Sequence, residues 1–463
     1  MDSALGEAVG PTTACRPERL PAGPGRERGG EGLVLDLTVF PTVTWPRLMR
    51  VRQRLAGPPE IVDVEAAVEQ AVARVAHRIR PGATYALGVG SRGIARLPDI
   101  VRATIAAVRR RGADVFIVPA MGSHGAATPE GQVEVLAALG VTEASMGVPI
   151  RPDMAVERVA EVEPGLDAYV AREALRADGI IPVARVKPHT SFRGRVESGV
   201  MKMITIGFGK QRGASTVHAR GFARFAELVP KVARTVLAHV YMPFGLAVVE
   251  NAHDRPAKIT ALEPEGLEDA EAELLELARS WMARLPFEAF DVLVVGEVGK
   301  NISGTGADPN VTGRYSTGIT GKPVIQRVVF LHLTEDTHGN ATGLGTADVI
   351  TRDLFDHLDF VKTYTNALTS TNLGAAKIPV IMNSDRDAVE LALRTVNGVA
   401  PEAVRLVAIR NTLELEEFVI SEALWPEAER LGLEALSKPE TPAFGPDGSL
   451  RQVAGLALYG PRG

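Results

Sequence analysis

From Tyr85 onward, short apolar runs alternate with segments of helical spacing, and each run ends in a polar loop carrying glycine. YALGVGSRG reads as a strand passing into a loop. LPDIVRATIAAVRRRG then has apolar residues at helical spacing, with Pro98 near its start and Gly112 past its end. ADVFIVPAMGSHG repeats the passage from strand to loop, and TPEGQVEVLAALG is a second helix with Thr128 as N-cap and Pro129 at its first position. GIIPVARVKPH is a further strand ending in a polar loop. This alternation predicts an α/β fold with mostly parallel sheets. Parallel sheets bind ligands beyond the carboxyl ends of their strands. Ser91, Arg92, His124 and His189 each lie just past a predicted strand and are expected to line one crevice.

The stretch GLEDAEAELLELARSWMARL is amphipathic at helical spacing, and FDVLVVGEVGKNISGTG after it restarts the pattern in a second α/β unit. The expected organisation is a disordered extension over 1–32, a first domain over 33–265, a linking helix over 266–285, a second α/β domain over 286–415, and a return segment and tail over 416–463. The active site is expected in the cleft between the two domains. Within the tail, Pro446-Asp447-Gly448 predicts a short hairpin.

Composition narrows the chemistry. The single cysteine, Cys15, excludes an intrachain disulfide and thiolate-held iron–sulfur or zinc centres, so any metal must rely on histidine, carboxylate or a ligand that a cofactor brings. A net charge of −5 gives no reason to expect nucleic acid or an anionic membrane as partner. No apolar run approaches the ~20 residues of a membrane span. The Pro-, Gly- and Arg-rich start lacks the apolar core of a secretory signal, which predicts a cytoplasmic protein.

The segment from Lys187 to His218, KPHTSFRGRVESGVMKMITIGFGKQRGASTVH, gathers two histidines, three lysines and five glycines. Glycine lets backbone approach a ligand closely, imidazole serves as base or metal ligand, and a buried lysine becomes a nucleophile once neutral. Only ten of the 51 basic residues are lysines, so a lysine in such a segment points to its amine rather than to charge alone. GSHG at Gly122–Gly125 places His124 in a tight loop after a strand, and KPHT places His189 likewise.

Other glycine-rich runs carry less. GVGSRG lacks the spacing of a dinucleotide fingerprint, and GKNISGTGAD has no P-loop ending. Lys300 nonetheless lies past a strand of the second unit and is expected to face the cleft as a cation. His239, His253, His332 and His357 read as ordinary structural or surface histidines, with His338 in TEDTHGN the nearest to an exception.

Taken together, GSHGAATPEGQ, KPH, the MK pair and the later TVH resemble the nickel-pincer-dependent lactate racemase family. The resemblance covers roughly Leu87 to His218 and extends only loosely into the second unit. It implies His124 and His189 as acid/base residues, Lys202 as covalent anchor and His218 as nickel ligand, sixteen residues beyond that lysine. The implied cofactor is a nickel-pincer nucleotide, pyridinium-3,5-bisthiocarboxylic acid mononucleotide nickel, with Ser91 and Gly122 as further candidates to bind it. Lys300 and Arg92 or Arg96 are candidates to clamp a substrate carboxylate. Members show an aspartate-histidine-threonine-arginine run after the first strand where this chain has SRGIAR, which implies a paralogue acting on another 2-hydroxy acid.

That chemistry suits the residues. Inverting a carbinol carbon by hydride removal requires a base at the hydroxyl of each enantiomer, and two imidazoles supply two. Two other readings stand beside it: a zinc hydrolase built on His124, His189 and His218, although no HExxH pattern is present, and a binding protein that keeps the fold without catalysis.

Overall fold

Two sheets, each flanked by helices, form the computed structural model, which describes residues 37–91 and 93–460. The expected extension over 1–32 lies outside the described residues, as does Arg92. The chain first lays down β1 (Leu48–Arg52), then β2 (Thr84–Val89), β3 (Asp114–Pro119), the hairpin of β4 (Val156–Glu163) and β5 (Leu166–Ala171), β6 (Gly179–Arg185), β7 (Gly245–Glu250) and β8 (Pro256–Leu262). The first sheet runs β3-β2-β6-β7-β8. Its first four strands are parallel and only the edge strand β8 is antiparallel. Strands β2, β3, β6 and β7 are buried almost throughout, as both faces of a parallel sheet must be when helices cover them.

Helices Val64–Arg74 and Leu97–Arg109 cover one face. The other face carries a helical run from Val200 to His218 together with helices Phe225–Leu237 and Leu267–Trp281. The last of these was expected as a linker. Its apolar stripe of Leu267, Leu274, Leu275 and Ala278 belongs to the first lobe's core. The expected N-cap holds: the Thr128 hydroxyl accepts the Gly131 N–H at 3.0 Å, one turn into the helix Pro129–Ala138.

The second sheet takes β9 (Ala289–Val298), β10 (Val324–Leu333), β11 (Val349–Thr351), β12 (Val380–Met382), β13 (Leu406–Ile409), β14 (Glu417–Ser421) and β15 (Glu434–Ala435) in the order β12-β11-β10-β9-β13-β14-β1-β15. Strands β9 to β13 are parallel, and β14, β1 and β15 complete it antiparallel. Thus β1, near the chain's start, and β14, in the expected return segment, both belong to this sheet: Met49 and Val51 bury beside Phe418 and Ile420 in its core. The Pro446-Asp447-Gly448 stretch is a turn, closed by the Gly448 N–H on the Gly445 carbonyl, and the hairpin sits further on, at Gln452–Val453 and Leu456–Ala457.

Candidate functional site

The loops after β2, β3 and β6 converge on the helical run Val200–His218. That run begins as α-helix at Val200–Lys202, widens to a π turn over Met203–Gly207, and resumes as α-helix over Lys210–His218. A π turn resets which face later side chains present and often sits at functional sites. Glycine is required where the run meets the loop after β3: a Cβ on Gly207 would lie 2.5 Å from the Ala120 carbonyl oxygen. Across the same contact, Gly122, at φ +60°, donates its N–H to the Gly207 carbonyl at 3.2 Å and sits against Ile206 and Ala214.

Lys202 and His189 meet directly, with Nζ 2.8 Å from Nε2. The other ring nitrogen, Nδ1, accepts the backbone N–H of Ser191 at 3.0 Å. A peptide N–H can only donate, so Nδ1 carries no proton and the neutral ring must carry its proton on Nε2. That N–H then donates to Nζ, which needs a lone pair. The contact therefore fits Lys202 as an uncharged amine, the form that attacks electrophiles.

His218 is fixed in the opposite tautomer. Its Nδ1 donates to the Ala214 carbonyl at 2.7 Å, which leaves the lone pair on Nε2. Burial holds this imidazole below its ordinary pKa, and Lys202 lies within electrostatic reach. A neutral histidine with its far nitrogen on a carbonyl is the form that ligates metals. Aromatic rings link the two histidines: His189 packs on Phe192 (4.5 Å between centroids), Phe192 on Phe225 (5.3 Å), and Phe225 on His218 (5.0 Å).

His124 Nδ1 lies 2.5 Å from the Ser91 hydroxyl. A hydroxyl can donate or accept, so this partner serves either tautomer of the ring. The loop itself is held from below. Gln132, fully buried, donates to the carbonyls of Gly122 (3.0 Å) and His124 (3.3 Å). Its own carbonyl accepts from Lys210, whose amine also donates to the Pro119 carbonyl, both at 2.8 Å. Burial without a contacting carboxylate pushes the Lys210 amine down to about 8.

The remaining expected residues are placed differently. Arg96 sits at the start of helix Leu97–Arg109, bonded to Asp99 at 2.9 Å and to the Val62 carbonyl at 2.8 Å, so its guanidinium secures a helix terminus. Lys300 folds over its own loop onto the Gly304 carbonyl at 3.1 Å. Among the described residues, no three His, Cys, Asp or Glu side chains are grouped to hold a metal ion, which leaves the histidine-zinc reading without a ligand set. His332, read as ordinary, stands between Asp353 (2.7 Å) and Asp385 (3.3 Å) in the second lobe.

Sequence reasoning missed Glu197, which organises the His189 loop. Fully buried, it accepts the backbone N–H of His189 (2.6 Å) and of Gly194 (3.2 Å) and pairs with Arg279 (2.7 Å) and Arg193 (3.3 Å). The available signal was that it is the lone acidic residue between Lys187 and His218.

Fold and site define an α/β protein in which Lys202 and three histidines stand around one helical run. Residues 90–262 match the model of a family described as a domain of unknown function, DUF362. No curated protein matches this chain. Among solved structures, the lactate racemase apoprotein from Thermoanaerobacterium thermosaccharolyticum superposes with a TM-score of 0.48 at 13% identity, over 78% of this chain and 99% of that one. No described helix is long and apolar enough to cross a membrane.

Proposed function

We propose that this chain is a cytoplasmic racemase or epimerase of a small 2-hydroxy acid, that it works with a nickel-pincer nucleotide anchored on Lys202, and that substrate binds between the two lobes. The observation that carries this reading is the contact of Lys202 Nζ with the Nε2–H of His189, which marks an amine ready to form an amide. The donor set fits the cofactor. A pincer supplies most of nickel's ligands itself, so one neutral imidazole suffices, and His218 offers an Nε2 lone pair. Gly122 borders the same helical run, and Ser91 is bonded to His124 in the Gly122 loop.

When bound, that nucleotide supplies a hydride acceptor, which amino-acid side chains do not. The chain's own residues manage the proton. As the carbinol hydrogen leaves with its electron pair, the hydroxyl proton must go to a base and return when the carbonyl is reduced from its other face. His124 takes that role for one enantiomer, since Ser91 tolerates either of its tautomers. His189 takes it for the other: acylation of Lys202 removes the lone pair that now holds its Nε2–H, and the ring then acts as a base once Nδ1 exchanges the Ser191 N–H for its own proton and Nε2 presents a lone pair. Carboxylate binding falls to Arg92 and to Lys300, once its amine turns from the Gly304 carbonyl.

The test is to produce the protein in a host that makes the cofactor, measure nickel and the mass of the Lys202 peptide, and supply single enantiomers of 2-deuterated 2-hydroxy acids. The reading expects a Lys202 adduct and interconversion with the label kept. Loss of label to water would replace hydride transfer by proton abstraction. Absence of both adduct and interconversion would refute the function.

A further inference from the structure

The loop that carries His189 is closed on itself and then clamped from the second lobe. Lys187 and Ser198 exchange backbone hydrogen bonds at 3.2 and 3.3 Å, and Glu197 ties the interior. From the second lobe, Thr317 donates its hydroxyl proton to the Ser191 carbonyl at 2.9 Å. Arg193 donates to Asn310 Oδ1 at 2.5 Å and to the Tyr315 hydroxyl, and its guanidinium lies over the Tyr315 ring. Lys187 faces Asp308 across the same boundary at 3.6 Å. Ser191 is thus held at its carbonyl by one lobe while its N–H sets the tautomer of His189 in the other.

We propose that docking of segment 308–317 makes Lys202 reactive, with Thr317, Asn310 and Tyr315 acting as positioning residues through Ser191 and His189. The chain of causes is short. Thr317 holds the Ser191 carbonyl, and Arg193, gripped by Asn310 and Tyr315, holds the carbonyls of His189 and Phe192, so the backbone on both sides of the Ser191 N–H is fixed; that N–H occupies His189 Nδ1; the proton is forced to Nε2; and only an uncharged amine can face it. Without the clamp the Ser191 N–H is free to turn away, Nδ1 can take a proton, and Nε2 becomes an acceptor for a charged ammonium. The amine then loses its nucleophilic lone pair. In this way the lysine is armed when the lobes are together. The inference rests on reading Lys202 as the reactive amine, and it needs neither nickel nor turnover.

The experiment is a brief pulse of isotopically labelled acetic anhydride at neutral pH on full-length protein without cofactor, with acetylation of Lys202 read by peptide mass spectrometry against the exposed Lys438 as internal standard. Wild-type Lys202 is expected to label about tenfold faster than Lys438, because an amine held in its uncharged form keeps the attacking lone pair. Thr317→Val and, separately, the pair Asn310→Ala with Tyr315→Phe should each remove that advantage, although a loosened crevice exposes the amine more. Thr317→Ser should restore it. Urea unfolding confirms that each variant is native, and the two independent clamps let either variant answer if the other is unstable. Wild-type labelling no faster than Lys438, or native variants that label Lys202 as fast as wild type or faster, would overturn the inference. Absence of racemase activity would refute only the proposed function.

Discussion

Glu271, on helix Leu267–Trp281, accepts the backbone N–H of Met201 at 3.0 Å and so caps the helical run one residue before Lys202. It is completely buried, and its second oxygen, Oε1, has no hydrogen-bond partner among the described residues. Burial pushes its carboxyl up to about 7. A carboxyl whose folded pKa is raised binds its proton more tightly folded than unfolded, so the protein loses stability as pH rises from about 4.5 to 7. Glu271→Gln keeps a carbonyl oxygen for Met201 and removes the ionisation. Relative to this variant, wild type should gain up to about 3 kcal/mol between pH 8 and pH 4.5. Urea denaturation of both proteins at the two pH values measures the difference, and equal pH dependence would refute the assignment.

Glu197 lies between two guanidinium groups with no exposure to water. Removing one partner of such a buried arrangement leaves charge uncompensated, at a cost of about 3–5 kcal/mol. Glu197→Ala should lower the unfolding free energy, measured by urea denaturation, by that amount. It should also raise amide exchange across 187–198, because the His189 and Gly194 N–H groups lose their acceptor. Unchanged exchange there would show that the loop is held by other contacts.

The fold was legible where local pattern decides it. Strands β2, β3, β6, β9 and β10 and the helices between them show buried runs bounded by glycine and proline, which is a signal within one window of sequence. Strand β1 gave no such signal, since it is five residues long and its partner begins at Glu417. The hairpin of β4 and β5 was missed because β4 is half-exposed along its length and reads as polar. Helix Lys210–His218 was hidden by glycines: Gly207 and Gly209 before it and Gly213 within it read as a loop, whereas Gly207 is there to admit the Ala120 carbonyl. His189, Lys202 and His218 could be singled out because imidazole and amine side chains are chemically distinctive wherever they stand. Glu197, Gln132, Lys210 and Thr317 act only through partners that the fold brings to them, and no spacing encodes that.

His332 offers a pH dependence of its own. Burial works against its charged form, but hydrogen bonds to Asp353 and Asp385 outweigh this and raise its pKa. The stability it contributes is complete below the ordinary histidine value of 6.5 and is lost as pH rises through the raised one. Asp385 also accepts the Leu450 N–H at 2.7 Å and the Tyr459 hydroxyl proton at 2.5 Å, so the tail is fastened to the same cluster. Amide exchange over 450–460 should therefore quicken, relative to the remaining sheet, as pH rises above 6.5, and His332→Gln should abolish that trend. A trend identical in the variant would place the titration elsewhere.

Lys210 links the two halves of the site. It stands in the helical run between Lys202 and His218, yet its amine is spent on Gln132 and the end of β3, and Gln132 in turn grips the carbonyls of Gly122 and His124. Burying an amine among neutral acceptors is costly, and methionine would fill the space without that cost. Because its pKa falls from 10.5 to about 8, the wild type should gain stability relative to Lys210→Met as pH rises between those values. The gain has an upper bound of about 3 kcal/mol. The same variant leaves Gln132 free to release the loop, so amide exchange over 120–126 should rise and turnover in loaded enzyme should fall at least about tenfold, while nickel and the Lys202 adduct stay in place. Turnover unchanged alongside faster exchange would mean that His124 does not need a fixed loop, and with it would go the argument that this imidazole is one of the two bases.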